Sequence, residues 1–327
     1  MKLKTTLLAV GTVLLWWVSV ITGSAGEFQP TKPIEVVVHT AAGGGSDLFA
    51  RAIADMMQKE NIMAQRMQVQ NKSGGSGATA MAYLAEKKGE THTIGFYTSV
   101  WIATPLTMAE AKFMLQDLTL IARLVLEPSV AAVKADSPYK NMKDFIEAAK
   151  KNPGQLKQSG GSITSSDNLA RLLIQKATGA QWTFISFPSG GERLSNLLGG
   201  HTQIMLMQPA EAGEQIKAGN MRVIGAITDH RLPLFPDVPT LKEQGLDIPI
   251  LPQARGALAP PGVSREIVEY WEGAFGRLVK TASWKKYLAE NHLEDGFLKG
   301  RELKEFTDQY TNRKRVILQE AGAKVVR

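Results

Sequence analysis

The chain has 327 residues, a formal net charge of +7 and no cysteine. Without cysteine it has no disulfides, thiolate nucleophiles or thiolate metal sites, so its stability must come from a hydrophobic core. Its basic residues are scattered and lack interleaved aromatic residues, which argues against a nucleic-acid partner.

The first 25 residues have the pattern of a secretory signal peptide. Lys2 and Lys4 precede an apolar stretch from Leu7 to Ile21, and small residues end the segment at Ala25. The stretch is short for a bilayer span, so we expect cleavage after Ala25 and a periplasmic location rather than a retained membrane anchor. Loss of the two lysines, with no acid lost, lowers the net charge from +7 to +5.

Strand and helix patterns alternate along the remaining chain. This alternation predicts an α/β fold with mostly parallel sheets and helices on both faces. Strands are expected at 34–39, 67–71, 93–97, 118–126, 130–134, 182–187, 203–207, 221–228 and 255–259. Helices are expected at 47–60, 77–87, 142–150, 166–178, 192–198, 210–217, 238–244, 263–280, 283–291 and 300–321.

Two interruptions suggest how the chain divides into domains. A mature chain of about 300 residues is long for one core, so two domains are expected. Glu127 and Pro128 break an apolar run, and a proline-rich zone spans residues 232–261. The sequence therefore predicts a discontinuous first lobe, residues 26–126 plus 252–327, and a second lobe, residues 127–251.

A strand-like run, three glycines and a helical pattern follow one another without spare residues in segment 33–57. Glycine lets the backbone approach a ligand closely, and the free amides at a helix N-terminus attract negative charge. The segment therefore predicts an anion site, the first cradle, residues 40–47. Its expected ligand contacts are Thr40, Gly43, Gly44, Gly45, Ser46 and Asp47, where Asp47 is also a helix-cap candidate.

Segment 158–168 repeats this order, with serines between a short extended stretch and a helical pattern. We call residues 162–166 the second cradle. Because ligands of open α/β sheets bind at the carboxyl ends of strands, the two cradles are expected to face each other across a cleft between the lobes. Their N–H and hydroxyl donors suit a carboxylate, since hydrogen bonds to ionised oxygens are about twice as strong as neutral ones. The expected contacts are Ser162, Thr164, Ser165 and Ser166.

Further ligand contacts are expected where other strands end. They are Ser99, Trp101, Ser189, Gly190 and Gln208. For Trp101 an aromatic wall of the cleft and simple hydrophobic packing are both open. His39, which ends the first strand, either lines the cleft or caps the sheet.

No residue pattern in the chain indicates covalent chemistry. The five histidines lack ligand spacing, so we expect no metal, no cofactor and no catalytic residue. The turn at Gly75–Ala80 fits G-x-G-x-x-A, but no acid ends the next strand, so a secreted α/β oxidoreductase is the weaker alternative.

Segment 33–51 resembles the opening of the substrate-binding proteins of tripartite tricarboxylate transporters, the Bug-type periplasmic receptors. The likeness extends over nearly the whole mature chain. It implies a two-lobed, type II-like periplasmic binding fold that closes on a small organic carboxylate and delivers it to integral membrane transporter subunits. It also implies that both cradles bind ligand through backbone N–H groups, hydroxyls and waters, and we expect a monomer. Further similar motifs lie at 71–77, 152–156, 165–170, 197–201, 216–220, 235–240 and 258–263.

Departures from the family pattern bear on the ligand. Asp167 and Asn168 stand where Ser-Ser-His commonly ends the second cradle, and Ser189 and Gly190 replace a segment that usually carries lysine. Gln208 follows the later strand, where an acid often awaits a ligand amine. We therefore hypothesise an unaminated mono- or dicarboxylate. A sensory receptor that presents its ligand to a membrane kinase remains an alternative role.

Overall fold

The computed structural model describes residues 28–327, so the predicted signal peptide lies outside the described residues. Three short 3-10 segments lie at Gly75–Gly77, Leu115–Asp117 and Pro209–Glu211. The strands are β1 (Ile34–Val38), β2 (Met67–Asn71), β3 (Thr93–Tyr97), β4 (Thr119–Glu127), β5 (Ser129–Lys134), β6 (Lys157–Gly160), β7 (Thr183–Ser186), β8 (Ile204–Met207), β9 (Met221–Ile227), β10 (Gln253–Ala259) and β11 (Glu294–Lys299). The helices are α1 (Gly45–Lys59), α2 (Ala78–Glu86), α3 (Val100–Thr107), α4 (Met142–Lys151), α5 (Ser166–Thr178), α6 (Gly190–Leu198), α7 (Gly213–Lys217), α8 (Arg265–Leu278), α9 (Ala282–Asn291) and α10 (Gly300–Glu320).

The first sheet has six strands in the order β11-β4-β10-β3-β1-β2. β1 runs parallel to both β2 and β3. β10 is antiparallel to β3 and to β4, and β11 is antiparallel to β4. β1 reads Ile-Glu-Val-Val-Val and is almost wholly buried, which is the pattern of a strand with both faces covered. The carboxyl ends of β1, β2 and β3 therefore lie at one edge of this sheet.

The second sheet has five strands in the order β7-β6-β8-β5-β9. β6 runs parallel to β7 and β8, whereas β5 is antiparallel to β8 and β9. The chain enters this sheet between β4 and β5 and returns to the first sheet between β9 and β10. The lobe boundaries at 126/127 and 251/252 remain a prediction.

The predicted α/β architecture with two helix-flanked sheets is confirmed. The sheets are not mostly parallel as expected: both are mixed, because β5, β10 and β11 run against their neighbours. The expected helix at 238–244 is wrong: Thr240 caps a single turn by accepting from the Glu243 amide, and Gly245, at φ +84°, stops it. α3 and β11 were not expected, since α3 contains Pro105 and β11 begins with the charged pair Glu294 and Asp295.

Within residues 28–327, no helix combines the length and the apolarity needed to cross a bilayer. The cores beneath the two sheets are instead built from amphipathic helices and buried strands. Trp101, Trp271 and Trp284 are the largest fully buried side chains. Trp101 packs over the backbone of Gly95 in β3, where an ideal Cβ would lie 3.4 Å from its ring.

Gly256 in β10 is predicted to be essential for the first sheet. An ideal Cβ there would lie 2.2 Å from the carbonyl oxygen of Ala122 and 2.4 Å from the Tyr97 ring. We expect Gly256→Ala to destabilise the fold by about 1–3 kcal/mol or more, since backbone cannot yield as a side chain can. Chemical denaturation measures this. Gly276→Ala in α8, where the nearest atom lies 3.7 Å away, is the control and should be neutral or stabilising by up to about 1 kcal/mol. Equal effects of the two changes would contradict the account.

Candidate ligand-binding site

A cleft of about 380 Å³ lies where the strand ends of both sheets meet. One wall of the cleft is lined by the first residues of α1 and α3 and by the turn before α2. The other wall is lined by the first residues of α5 and α6. Each of these helices follows a strand: α1 follows β1, α2 follows β2, α3 follows β3, α5 follows β6 and α6 follows β7. The cleft therefore lies at the carboxyl ends of strands, as expected for a ligand site in an α/β fold. The predicted contacts that line it are Thr40, Gly44, Gly45, Ser46, Ser162, Ser165, Ser166, Ser189, Gly190 and Gln208.

In the first cradle, two amides of α1 lack a protein acceptor within the described residues. The Asp47 amide donates to the Thr40 hydroxyl oxygen at 3.2 Å, and the Leu48 amide donates to the Gly44 carbonyl. The amides of Gly45 and Ser46 make no such bond. Gly44 must be glycine, because an ideal Cβ would lie 2.6 Å from Cβ of Thr40. The first turn of α1 therefore presents two free donors to the cleft.

The second cradle repeats this arrangement at α5. The Leu169 amide donates to the Ser165 carbonyl, whereas in the described structure the amides of Ser166, Asp167 and Asn168 have no protein acceptor. The Thr164 hydroxyl lies 2.7 Å from that of Thr104 in α3, which joins this cradle to the first sheet's helices. Thr164 therefore does not line the cleft, although it was an expected contact.

Both cradles are braced by an aspartate that accepts from a glycine amide in the turn. Oδ2 of Asp47 accepts from the Gly43 amide at 2.9 Å, and Oδ2 of Asp167 accepts from the Gly161 amide at 2.9 Å. Partial burial opposes ionisation of Asp47, but hydrogen bonds from Arg51, Gly43 and Asn71 outweigh it and lower its pKa. Asp47 and Gly43 thus shape the first cradle from behind and do not line the cleft.

Two arginines that the sequence analysis did not single out lie in the walls of the cleft. Arg193 of α6 donates to Asp167 at 3.1 Å and to Glu211 at 2.6 Å, and it is 6% exposed. Arg255 of β10 lies 2.7 Å from Glu127 and donates to the Ser46 hydroxyl at 3.3 Å. Buried arginines need such partners, because an unpaired buried charge is strongly unfavourable.

These ion pairs correct one expectation from the sequence. An acid does stand beyond β8, namely Glu211, which lines the cleft three residues after Gln208. Burial raises the pKa of Glu211, although Arg193 acts in the opposite direction. Since Arg193 already binds it, Glu211 is not a free partner for a ligand amine. The sequence offered one signal for each ion pair, namely a single arginine within the pattern of α6 and another within that of β10.

His39 lines the cleft as a neutral ring. The indole N–H of Trp101 donates to Nδ1 of His39 at 3.1 Å, and because an indole can only donate, Nδ1 must be unprotonated. Burial, with the nearby charge of Arg255, lowers the pKa of His39 to about 3. Nε2 therefore carries the proton. Trp101 itself is fully buried and positions His39 instead of forming the cleft wall.

Ser99 also lies behind the cleft surface. Its hydroxyl is 2.7 Å from that of Tyr310, which in turn donates to the Pro252 carbonyl.

No cluster of three or more His, Asp or Glu side chains suited to a metal ion occurs among residues 28–327.

Comparison with known proteins decides the family. The model of the tripartite tricarboxylate transporter family receptor matches residues 49–323. The chain belongs to this family. A relative from Cupriavidus necator, the UPF0065 protein in the gbd 5' region, is 29% identical over 294 residues, covering 90% of this chain and 88% of the relative.

Solved structures agree on the fold. The periplasmic binding protein BugD superimposes with a TM-score of 0.84 at 21% identity, covering 90% of this chain and 99% of BugD. R. palustris Rpa4515, solved with adipate, superimposes with a TM-score of 0.84 at 23% identity, covering 90% and 98% of the two chains. The expected two-lobed periplasmic binding fold is confirmed, and the family is one of solute-binding receptors.

The ring of His39 is predicted to stay neutral, with its proton on Nε2, from pH 5 to 8. Its folded pKa, about 3, lies below the unfolded value near 6.5, so the folded state binds fewer protons between these values. Stability contributed by the ring is therefore complete above pH 6.5 and declines as the pH falls towards 3. Long-range ¹H–¹⁵N NMR, assigned with His39→Gln, checks the tautomer, and a titration midpoint between pH 6 and 7 would contradict this geometry.

Proposed function

We propose that this receptor captures a small organic carboxylate between the two cradles and releases it chemically unchanged. The observation that carries the proposal is the opposition of free first-turn amides, Gly45 and Ser46 on one wall and Ser166 on the other, across one cleft. Backbone amides at a helix N-terminus bind anions, and an ionised carboxylate offers two acceptor oxygens.

The charges around the cleft support recognition by amides rather than by ion pairs. Arg193 and Arg255 are each committed to carboxylates of the protein itself. The neutral His39 adds one N–H donor at Nε2. A ligand carboxylate is therefore held by dipoles and hydroxyls, which suits acids of differing chain length within a cleft of about 380 Å³.

An unaminated acid fits this site better than an amino acid. The acidic side chains lining the cleft are Asp167 and Glu211, and Arg193 binds both. An ammonium group on the ligand would have to compete with that guanidinium. Adipate in the R. palustris structure is an acid of the proposed kind.

We further propose that the protein acts in the periplasm, as a monomer, and hands its ligand to integral membrane subunits of a tripartite tricarboxylate-type transporter. Closure of the lobes must draw its free energy from contacts that the ligand makes only in the closed form. A role in presenting ligand to a membrane kinase would use the same closed surface. Capture of detergent-solubilised permease subunits by the ligand-loaded protein supports transport, and capture of a kinase supports sensing.

Isothermal titration against malate, citrate, glutarate, adipate and aspartate tests the ligand class. We expect at least one unaminated acid to bind with a Kd in the micromolar range or below, and aspartate to bind at least about tenfold more weakly, a difference of about 1.4 kcal/mol. Tight binding of aspartate alone would contradict the proposed ligand class.

A matched pair of variants at Gly45 isolates the contribution of the amide. Gly44, with φ −77° and ψ 159°, already has the conformation that a following proline requires, and Gly45 is the first residue of α1, where proline is tolerated. Gly45→Pro removes the free N–H, whereas Gly45→Ala keeps it and introduces the same Cβ, 3.1 Å from Arg255. The proline variant should bind about 10–100-fold more weakly than the alanine variant, the value of one hydrogen bond to a charged group. Equal affinities would show that this amide does not hold the ligand.

A further inference from the structure

A lysine without an acidic partner is buried behind the second cradle. Lys314 of α10 is 1% exposed and lines a second cavity, of about 30 Å³. No carboxylate of the described residues lies within ion-pair distance of its ammonium group. The cavity is otherwise largely apolar, with Leu169, Leu173, Leu206, Ile227, Leu251 and Ile317 in its walls.

Burial of this ammonium group is unfavourable for folding. Removal from water lowers the pKa of Lys314 to about 8, with no opposing charge to restore it. An apolar side chain of similar length would fill the same place without that penalty. A destabilising group of this kind is commonly retained where function needs it.

Ser166 connects this cavity to the ligand cleft. It lines both cavities, begins α5, and has a buried hydroxyl with no hydrogen-bond partner among the described residues. An ammonium group can only donate, so a hydroxyl that accepts from it has its own proton free to donate elsewhere. For Ser166, the remaining side is the ligand cleft. Asp167, the other titratable side chain in the cavity wall, is held by Arg193.

We propose that Lys314 is a positioning residue for the ligand, acting through Ser166. The cavity has room for about one water molecule, through which the ammonium group donates to the Ser166 oxygen. The Ser166 proton then points at the ligand carboxylate. This inference deepens the proposed function and rests on it.

Calorimetric affinity for malate and adipate, with thermal unfolding of the free protein, tests the inference. We expect Lys314→Met to weaken binding at least about tenfold while raising the melting temperature, because the burial penalty disappears. Ser166→Ala should weaken binding by a similar factor, and the double variant should lose little more than either single change, since both act through one hydrogen-bond chain. Lys304→Met, on the exposed side of α10 where Lys304 pairs with Asp308, is the control and should bind as wild type does.

A pH profile provides a readout that a purely structural lysine would not change. Wild-type affinity should fall as the pH rises above about 8 and Lys314 loses its proton, whereas Ser166→Ala should show a flat profile from pH 7 to 9.5. This arm does not require Lys314→Met to fold.

The outcomes separate the two proposals. If wild type binds malate or adipate and Lys314→Met binds equally well, or if the pH profile of wild type is flat, the role of Lys314 is overturned. If wild type binds none of the acids used in the titration above (malate, citrate, glutarate, adipate and aspartate), the proposed function itself fails.

Discussion

The proposed binding site depends on the amides that an α-helix leaves unpaired in its first turn. Such groups need an acceptor outside the helix, and the fold directs the starts of α1 and α5 to the same cleft. Parallel strands bring this about, because the carboxyl ends of β1, β2 and β3 lie at one edge of the first sheet, and β6 and β7 do the same in the second. The site is therefore a property of the backbone topology before any side chain contributes.

Side chains then fix the shape of this cleft. Arg193 ties together α5, α6 and the segment after β8 by binding Asp167, Glu211 and the Leu206 carbonyl. Arg255 does the same for β10, β4 and α1. In both cases the guanidinium group is paired with acids of the protein itself, so its structural role is to fix the shape of the cleft. Such buried pairs are better understood as fixing geometry than as adding stability.

The sequence was most informative where structure is local. Glycines and serines between a β-branched run and a helical pattern predict a strand–turn–helix. Most of the predicted cradle residues line the cleft, although Gly43, Asp47 and Thr164 do not. It was least informative about buried charges. Whether Arg193, Arg255 or Lys314 faces water or the core depends on residues more than ten positions away in the chain. A single sequence does not reveal which residues these are. For Trp101 the sequence left a cleft wall and hydrophobic packing both open; the structure has it packed in the core, where Gly95 leaves room for its ring.

The errors in the secondary structure have different causes. β11 begins with two acids and lies at the edge of the described sheet, paired with β4, so no apolar alternation indicates it. At 238–244 the Thr240 hydroxyl accepts from the Glu243 amide as at a helix start, but Gly245 ends the structure after one turn.

A crystal structure of the protein with adipate tests the central claim most directly. The account predicts carboxylate oxygens about 2.9 Å from the amides of Gly45 or Ser46 on one wall and from Ser166 on the other, with both arginines still bound to their acids. An empty cleft, or a carboxylate paired directly with Arg193 or Arg255 in place of their own partners, would contradict it.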